Sequence, residues 1–232
     1  MKIDILGVRV DNVSFEEAVN KVEEFIGDKN KHYVVTPNPE IGILAQKDHK
    51  LRQILNSADL AIPDGIGLIW ASRILGSRLK ERVTGVDLME KFCQVAEKKG
   101  FSVGLLGGKN GVASLCAAVL KNRFEKLKLV VFDKNQPIYK DVDILFVAMG
   151  APKQEKWIGK NLPKIPVKVA MGVGGAFEMI TGAQIRAPKI LQNLGLEWLW
   201  RLITQPWRVK RQLALLVFVY FVIKQKLKGI RE

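Results

Sequence analysis

From Lys2 to Met171 the chain repeatedly runs a short β-branched or aromatic stretch into a Gly- or Pro-marked turn, and then into a helical pattern. This alternation constrains the fold more than any other feature. Short continuous apolar runs suit strands buried on both faces, and the intervening amphipathic segments are the helices that cover them. The runs are His32–Thr36, Asp59–Ile62, Phe101–Leu106, Leu127–Phe132, Ile144–Met149 and Val167–Met171. Before them, Lys2–Val10 reads as a strand or hairpin broken at Gly7, and Ser14 with Glu17 forms a capping box for a helix ending near Gly27. Helical patterns follow at Leu51–Ser57, Ile66–Leu75, Leu88–Lys99 with Asp87 as its cap, and Val112–Phe124. The expectation is an α/β fold with a mostly parallel sheet and helices on both faces.

In such a sheet ligands sit beyond the carboxyl ends of the strands. Four strand-end turns therefore converge on one rim. Ala58–Gly67 (ADLAIPDGIG) places a single carboxylate, Asp64, between Pro63 and Gly65. Asp64 suits a general base, and an acid in that position could equally cap the next helix. Thr36-Pro37-Asn38-Pro39-Glu40 offers hydroxyl and amide groups on a backbone stiffened by two prolines. Turn formation and helix capping account for the same residues. Gly150–Glu155 carries Lys153 and Gln154, and Gly172–Glu178 carries Gly174, Gly175 and Glu178. A cation, a two-way amide and glycines that let a ligand approach the backbone suit a nucleotide sugar.

Other chemistries find little support. Cys93 and Cys116 lie in helical patterns without metal-ligand spacing, and His32 and His49 belong to no cluster, which argues against zinc or a Ser-His-Asp triad. Gly107-Gly108-Lys109-Asn110-Gly111 matches neither dinucleotide nor Walker pattern and reads as a tight turn with room for a nucleotide contact. Asp141-Val142-Asp143 has the form of a metal-binding D-x-D motif, but it precedes its strand and so falls at the wrong end of the sheet. No metal and no cofactor are expected. A nucleotide-dependent oxidoreductase is disfavoured by the missing fingerprint.

The net charge of +14 is uneven: residues 186–232 hold ten basic against two acidic side chains, a net of +8. Pro188 opens a helical stretch to about Thr204, and Pro206 separates it from a second one. Within the latter, Leu213–Ile223 is apolar all round but only eleven residues long, against about 20 for a membrane crossing. Trp198, Trp200 and Trp207 lie beside the basic residues, as at membrane interfaces. An interfacial appendage at 186–232, following a catalytic domain at 1–185, is the first reading. A helix packed into the core or a dimer seam is the alternative. Self-association in solution would bury the apolar stretch. Arg201, Arg208 and Arg211 suit a lipid-linked diphosphate. A basic nucleic-acid-binding protein would also explain the charge, but the basic cluster is fused to apolar sequence rather than to a reading surface, so nucleic acid is not an expected partner. The N-terminal MKIDILGVRV lacks the apolar core of a signal peptide, so a cytoplasmic location is expected.

Taken together, TPNPE, PDGIG, the R-x-T-G-x-D of Arg82 to Asp87, GAPKQE, GVGGAFE and RAPK…GLEWLWRL…P resemble the WecG/TagA/CpsF glycosyltransferase family, family 26, along essentially the whole chain. The Arg-rich end looks most like its teichoic-acid branch. The resemblance implies a Rossmann-like core and an inverting, metal-independent transfer from UDP-N-acetylmannosamine to undecaprenyl-diphosphate-linked GlcNAc, giving a β-1,4 linkage. Other branches use other UDP-sugars for exopolysaccharide. It implies Asp64 as base, Thr36, Asn38, Arg82 and Gln154 at further active-site positions, and nucleotide-sugar contacts from Gly107, Gly108, Lys153, Gly174, Gly175 and Glu178. Relatives often carry Asp at position 178. Arg201, Arg208 and Arg211 would meet the lipid diphosphate at the cytoplasmic face of the membrane.

Overall fold

The structure, a computed structural model, describes residues 1–229, apart from the side chains of Arg208, Lys210, Arg211 and Gln212. An antiparallel hairpin, β1 (Lys2–Ile5) and β2 (Val8–Asp11), leads into α1 (Phe15–Gly27). The predicted capping box is in place: Ser14 Oγ accepts from the Glu17 amide at 3.2 Å, and the Glu17 carboxylate accepts from the Ser14 amide at 2.8 Å. Then come β3 (His32–Val35), α2 (Pro39–Lys47), α3 (His49–Asn56), β4 (Leu60–Ala61), α4 (Ile66–Ile74) and α5 (Gly85–Lys99). The second half holds β5 (Ser102–Gly107), α6 (Val112–Arg123), β6 (Lys128–Phe132), β7 (Val142–Ala148), α7 (Lys153–Asn161), β8 (Val167–Gly172) and α8 (Ala176–Ile180). The chain ends in α9 (Lys189–Asn193), α10 (Glu197–Thr204) and α11 (Val209–Lys228).

Strands β3 to β8 form one six-stranded sheet in the order β4-β3-β8-β7-β5-β6, every pair parallel. The period of two along each strand feeds two cores. Val34, Val103, Leu105, Ile144, Phe146, Val169 and Met171 face α1, α5, α6 and α8. Leu106, Leu145, Val147 and Ala170 face the side that holds α7. A further cluster joins the hairpin, α2, α3, α4 and α11.

Two local readings need correction. The helix expected to start behind Asp87 begins at Gly85. Its cap is Thr84, whose Oγ1 accepts from the Asp87 amide at 3.3 Å. A Thr two residues after Arg82 competes well for that role, which frees Asp87 for ion pairing. The stretch from Pro188 to Thr204 is two helices, because Gly195 turns the chain with φ +73°. A Cβ there would stand 2.7 Å from Ile66 Cγ1, so the turn packs directly onto α4.

Helix α11 docks one side on the domain. Phe218 is 2 % exposed and meets Gly42 of α2, while Leu215 reaches Gly67 of α4. Gln225 Oε1 accepts from the Leu6 amide at 2.9 Å. Its outer side keeps Leu213, Leu216, Tyr220 and Ile223 exposed. The helix is thus both core-packed and apolar outside. Among the described residues, no helix is long and apolar enough to cross a membrane.

Candidate active site

Neighbours in the sheet but far apart in sequence, β3 and β8 end side by side, and the crevice between the turns that follow them lies on the carboxyl rim, where such sheets bind ligands. Thr36, at the end of β3, is buried and donates to Gly172 O at the end of β8, at 3.3 Å. The loop after β4 is sewn to the loop after β3: Ile62 N donates to Val35 O at 3.0 Å and Asp64 N to Pro37 O at 2.9 Å. Val83 N donates to Pro63 O at 3.0 Å and brings the start of α5 alongside. Asp64 is therefore held by backbone on three sides.

Its carboxylate does not cap α4. The cap is Gly65, at φ +114°, with no side-chain hydrogen bond. Instead the carboxylate faces Gly85 at the first turn of α5, where a Cβ would meet Thr36 Cγ2 at 3.2 Å and Asp64 Oδ2 at 3.8 Å. A side chain at 85 would crowd Thr36 and lie in contact with the carboxylate. Burial pushes the Asp64 carboxyl up to about 6; Arg201 opposes the rise, Glu197 adds to it, and the Gly85 amide and Arg82 oppose it more weakly. A carboxylate ionised at neutral pH, yet basic for an aspartate, suits proton abstraction.

Arg201 comes from α10, so the tail already stands beside the base. No carboxylate lies within ion-pair distance of Arg201 among the described residues, and its Nη2 donates to Met179 Sδ at 3.6 Å. It is a cation available to a ligand. Arg82 is engaged differently: Nη1 donates to Glu197 Oε2 at 2.7 Å and Nη2 to Gln192 O at 3.0 Å. Asn38 caps α2 by accepting from the Ile41 amide through Oδ1 at 3.0 Å. The Arg208 and Arg211 side chains lie outside the described residues.

Gln154 is 2 % exposed and turned inward. Its Oε1 accepts from the Gly150 amide at 3.1 Å and the Gly174 amide at 3.0 Å, while Nε2 donates to Glu155 Oε1 at 2.8 Å. It braces the turns after β7 and β8 instead of reaching into the rim. Gly172 makes room for it, since a Cβ there would stand 2.8 Å from Gln154 Nε2. Lys153 is exposed at the start of α7. Near Gly175, a buried Glu178 Oε2 lacks a partner. Gly107 and Gly108 form the turn after β5, at φ +103° and +73°, pressed against Ala148 O and Val112 so closely that no side chain fits. The Asp143 carboxylate, by contrast, binds Ser102 and Lys168 near the start of β7, on the opposite rim.

The glycosyl transferase WecG/TagA/CpsF family model matches residues 3–232. The chain belongs to this family. Two relatives, both named N-acetylglucosaminyldiphosphoundecaprenol N-acetyl-beta-D-mannosaminyltransferase, come from Staphylococcus aureus strains MRSA252 and NCTC 8325 / PS 47. Each is 32 % identical over 239 residues, covering 98 % of this chain and 94 % of the relative. The protein is therefore a glycosyltransferase. Three residues were not read as site members from the sequence: Glu197, Arg186 and Asp87. The signal available was their place in the motifs GLEWLWRL, RAPK and R-x-T-G-x-D.

Proposed function

We propose that this glycosyltransferase moves N-acetylmannosamine from UDP-N-acetylmannosamine to GlcNAc carried on undecaprenyl diphosphate, forming a β-1,4 linkage with inversion and without a metal. The step would belong to wall teichoic acid linkage-unit synthesis. The observation that carries this reading is Asp64, a carboxyl raised to about 6 and facing an unneutralised Arg201. Asp64 takes the proton of the acceptor hydroxyl as its oxygen attacks C1 of the donor sugar. The bond from C1 to the diphosphate oxygen breaks on the opposite side, and UDP leaves with the electron pair. Arg201 stands where the charge of a diphosphate can be met, a role that fixed cations perform well in a desolvated site. The donor's nucleotide lies along the glycine turns of Gly174, Gly175, Gly107 and Gly108. From β3 to β5 is three strand spacings, about 14 Å, a span suited to an extended nucleotide sugar. The names of the S. aureus relatives support the sugar and the acceptor.

The enzyme works at the cytoplasmic face of the membrane as a peripheral protein. The exposed side of α11 and the basic residues of 186–232 support that placement, since each basic residue near an anionic surface contributes about 1 kcal/mol. Self-association through the same apolar side would shield it in solution. The test is a transfer assay with a panel of UDP-sugars and a polyprenyl-diphosphate-GlcNAc acceptor, with and without chelator, and NMR of the product's anomeric proton. Transfer of N-acetylmannosamine alone, unaffected by chelator and inverted at C1, is expected. Preference for another UDP-sugar would move the enzyme to a different branch.

A further inference from the structure

Helix α10 brings Arg201 to Asp64, yet no residue of α10 is buried, and Leu199 and Ile203 point to solvent. Trp198, Trp200 and Leu202 are half-buried and contribute apolar packing. The polar contacts that hold the helix centre on its first residue. Glu197 Oε2 accepts from Arg82 at 2.7 Å, and Oε1 faces Arg186 Nε at 3.4 Å. Both arginines are anchored in turn. Arg186 grips Asp87 of α5 through two bonds, 2.6 and 2.7 Å, and Asp87 is hydrogen-bonded by Thr84. Arg82 also donates to Gln192 O, and the Gln192 side-chain Nε2 donates to Ala187 O at 2.6 Å. The Arg82, Arg186 and Glu197 side chains are only 14 to 19 % exposed, so breaking this cluster strands charges away from water. Trp200 Nε1, donating to Ile185 O at 3.3 Å, adds a single neutral bond.

We propose that Glu197 is a positioning residue for glycosyl transfer: by clamping Arg82 and Arg186 it seats α10, and with it Arg201, beside the Asp64 site. This rests on the reading of Asp64 as the base. The charged groups that face Asp64 are Arg201 and Glu197 from α10 and Arg82 from the segment before α5, with the Gly85 amide beside them. Removing the Glu197 charge leaves the cations Arg201 and Arg82 facing the base.

Two variants of the full chain test the proposal. In Glu197→Ala, amide exchange over residues 198–204 rises by about tenfold or more while β3 and β8 keep their protection. The kcat falls about 10–100-fold, as expected for a misplaced group. The donor KM stays within about twofold, as expected for an effect confined to the transition state. In Glu197→Gln, whose side-chain oxygen still accepts from Arg82, the acid limb of the pH–kcat/KM profile moves to lower pH. Wild-type exchange in Glu197→Ala, or an acid limb that stays in place or moves up in Glu197→Gln, overturns the proposal. If Glu197→Ala does not fold, the pH profile of Glu197→Gln decides alone. Near-normal turnover in Asp64→Asn would instead sink the base assignment, and the exchange measurement would still judge the clamp.

Discussion

Asp64→Asn should make the protein more stable and nearly inactive at once. The native carboxyl titrates at about 6, against an ordinary value of 3.8. A carboxyl raised in the folded state makes that state bind more protons than the unfolded chain between the two values. Stability therefore falls as pH rises through that window, and the full cost is present above it. At about pH 7.5 the shift corresponds to about 3 kcal/mol, taking 1.36 kcal/mol per unit. At about pH 5 the same linkage leaves roughly half of that. An asparagine carries no such charge, so urea denaturation should give Asp64→Asn a stability gain approaching 3 kcal/mol near pH 7.5 that shrinks towards pH 5. That figure is already net of the attraction to Arg201, which opposes the rise. The same variant should lose at least about 100-fold in turnover. A variant equally or less stable than wild type across this range would refute the argument that burial strains this carboxylate. Retained turnover would refute its role as base.

His32 lies between Asp28 and Asp59, at 2.8 and 3.1 Å, stacked on Phe25. Burial disfavours its charge, but the bonds to Asp59 and Asp28 outweigh burial and raise its pKa above 6.5. The stability it lends is full below that value and is lost as pH rises through the folded pKa, so His32→Gln should cost most at acidic pH in urea melts. Gln154→Ala should leave the Gly150 and Gly174 amides unsatisfied, a loss of about 1–3 kcal/mol in denaturation with a matching rise in donor KM as the two turns loosen. Phe218→Ala should cost about 3–5 kcal/mol, whereas Leu216→Glu, on the exposed side of the same helix, should leave the melt unchanged and weaken flotation with anionic vesicles.

The sheet was legible because its rules are local. A run such as HYVVT before TPNPE names a strand, a turn and a helix within nine residues, and strand direction then puts Thr36 and Asp64 on one rim. Gln154 is different. Its residue type suggests a ligand contact, but the Gly174 amide, twenty residues on, claims its oxygen and Glu155 its nitrogen. Only the three-dimensional approach of two loops reveals that. The appendage was half legible. Leu213–Ile223 announces an apolar helix, while small residues on α2 and α4, Gly42 and Gly67, decide which side is buried by letting Phe218 and Leu215 come close.

By itself, then, the order of residues determined the parallel sheet, the rim on which its turns gather, and the place of Asp64 on a strand-end turn. These follow from side-chain periodicity and turn chemistry, which act over a few residues. The tertiary structure alone decided how that carboxylate is tuned and what stands over it. Arg82 and Glu197 meet across 115 residues, and the burial that raises Asp64 comes from elements on both sides of the crevice. Charge–charge energies depend on distance through space and on exclusion of water, and neither is written in the spacing along the chain.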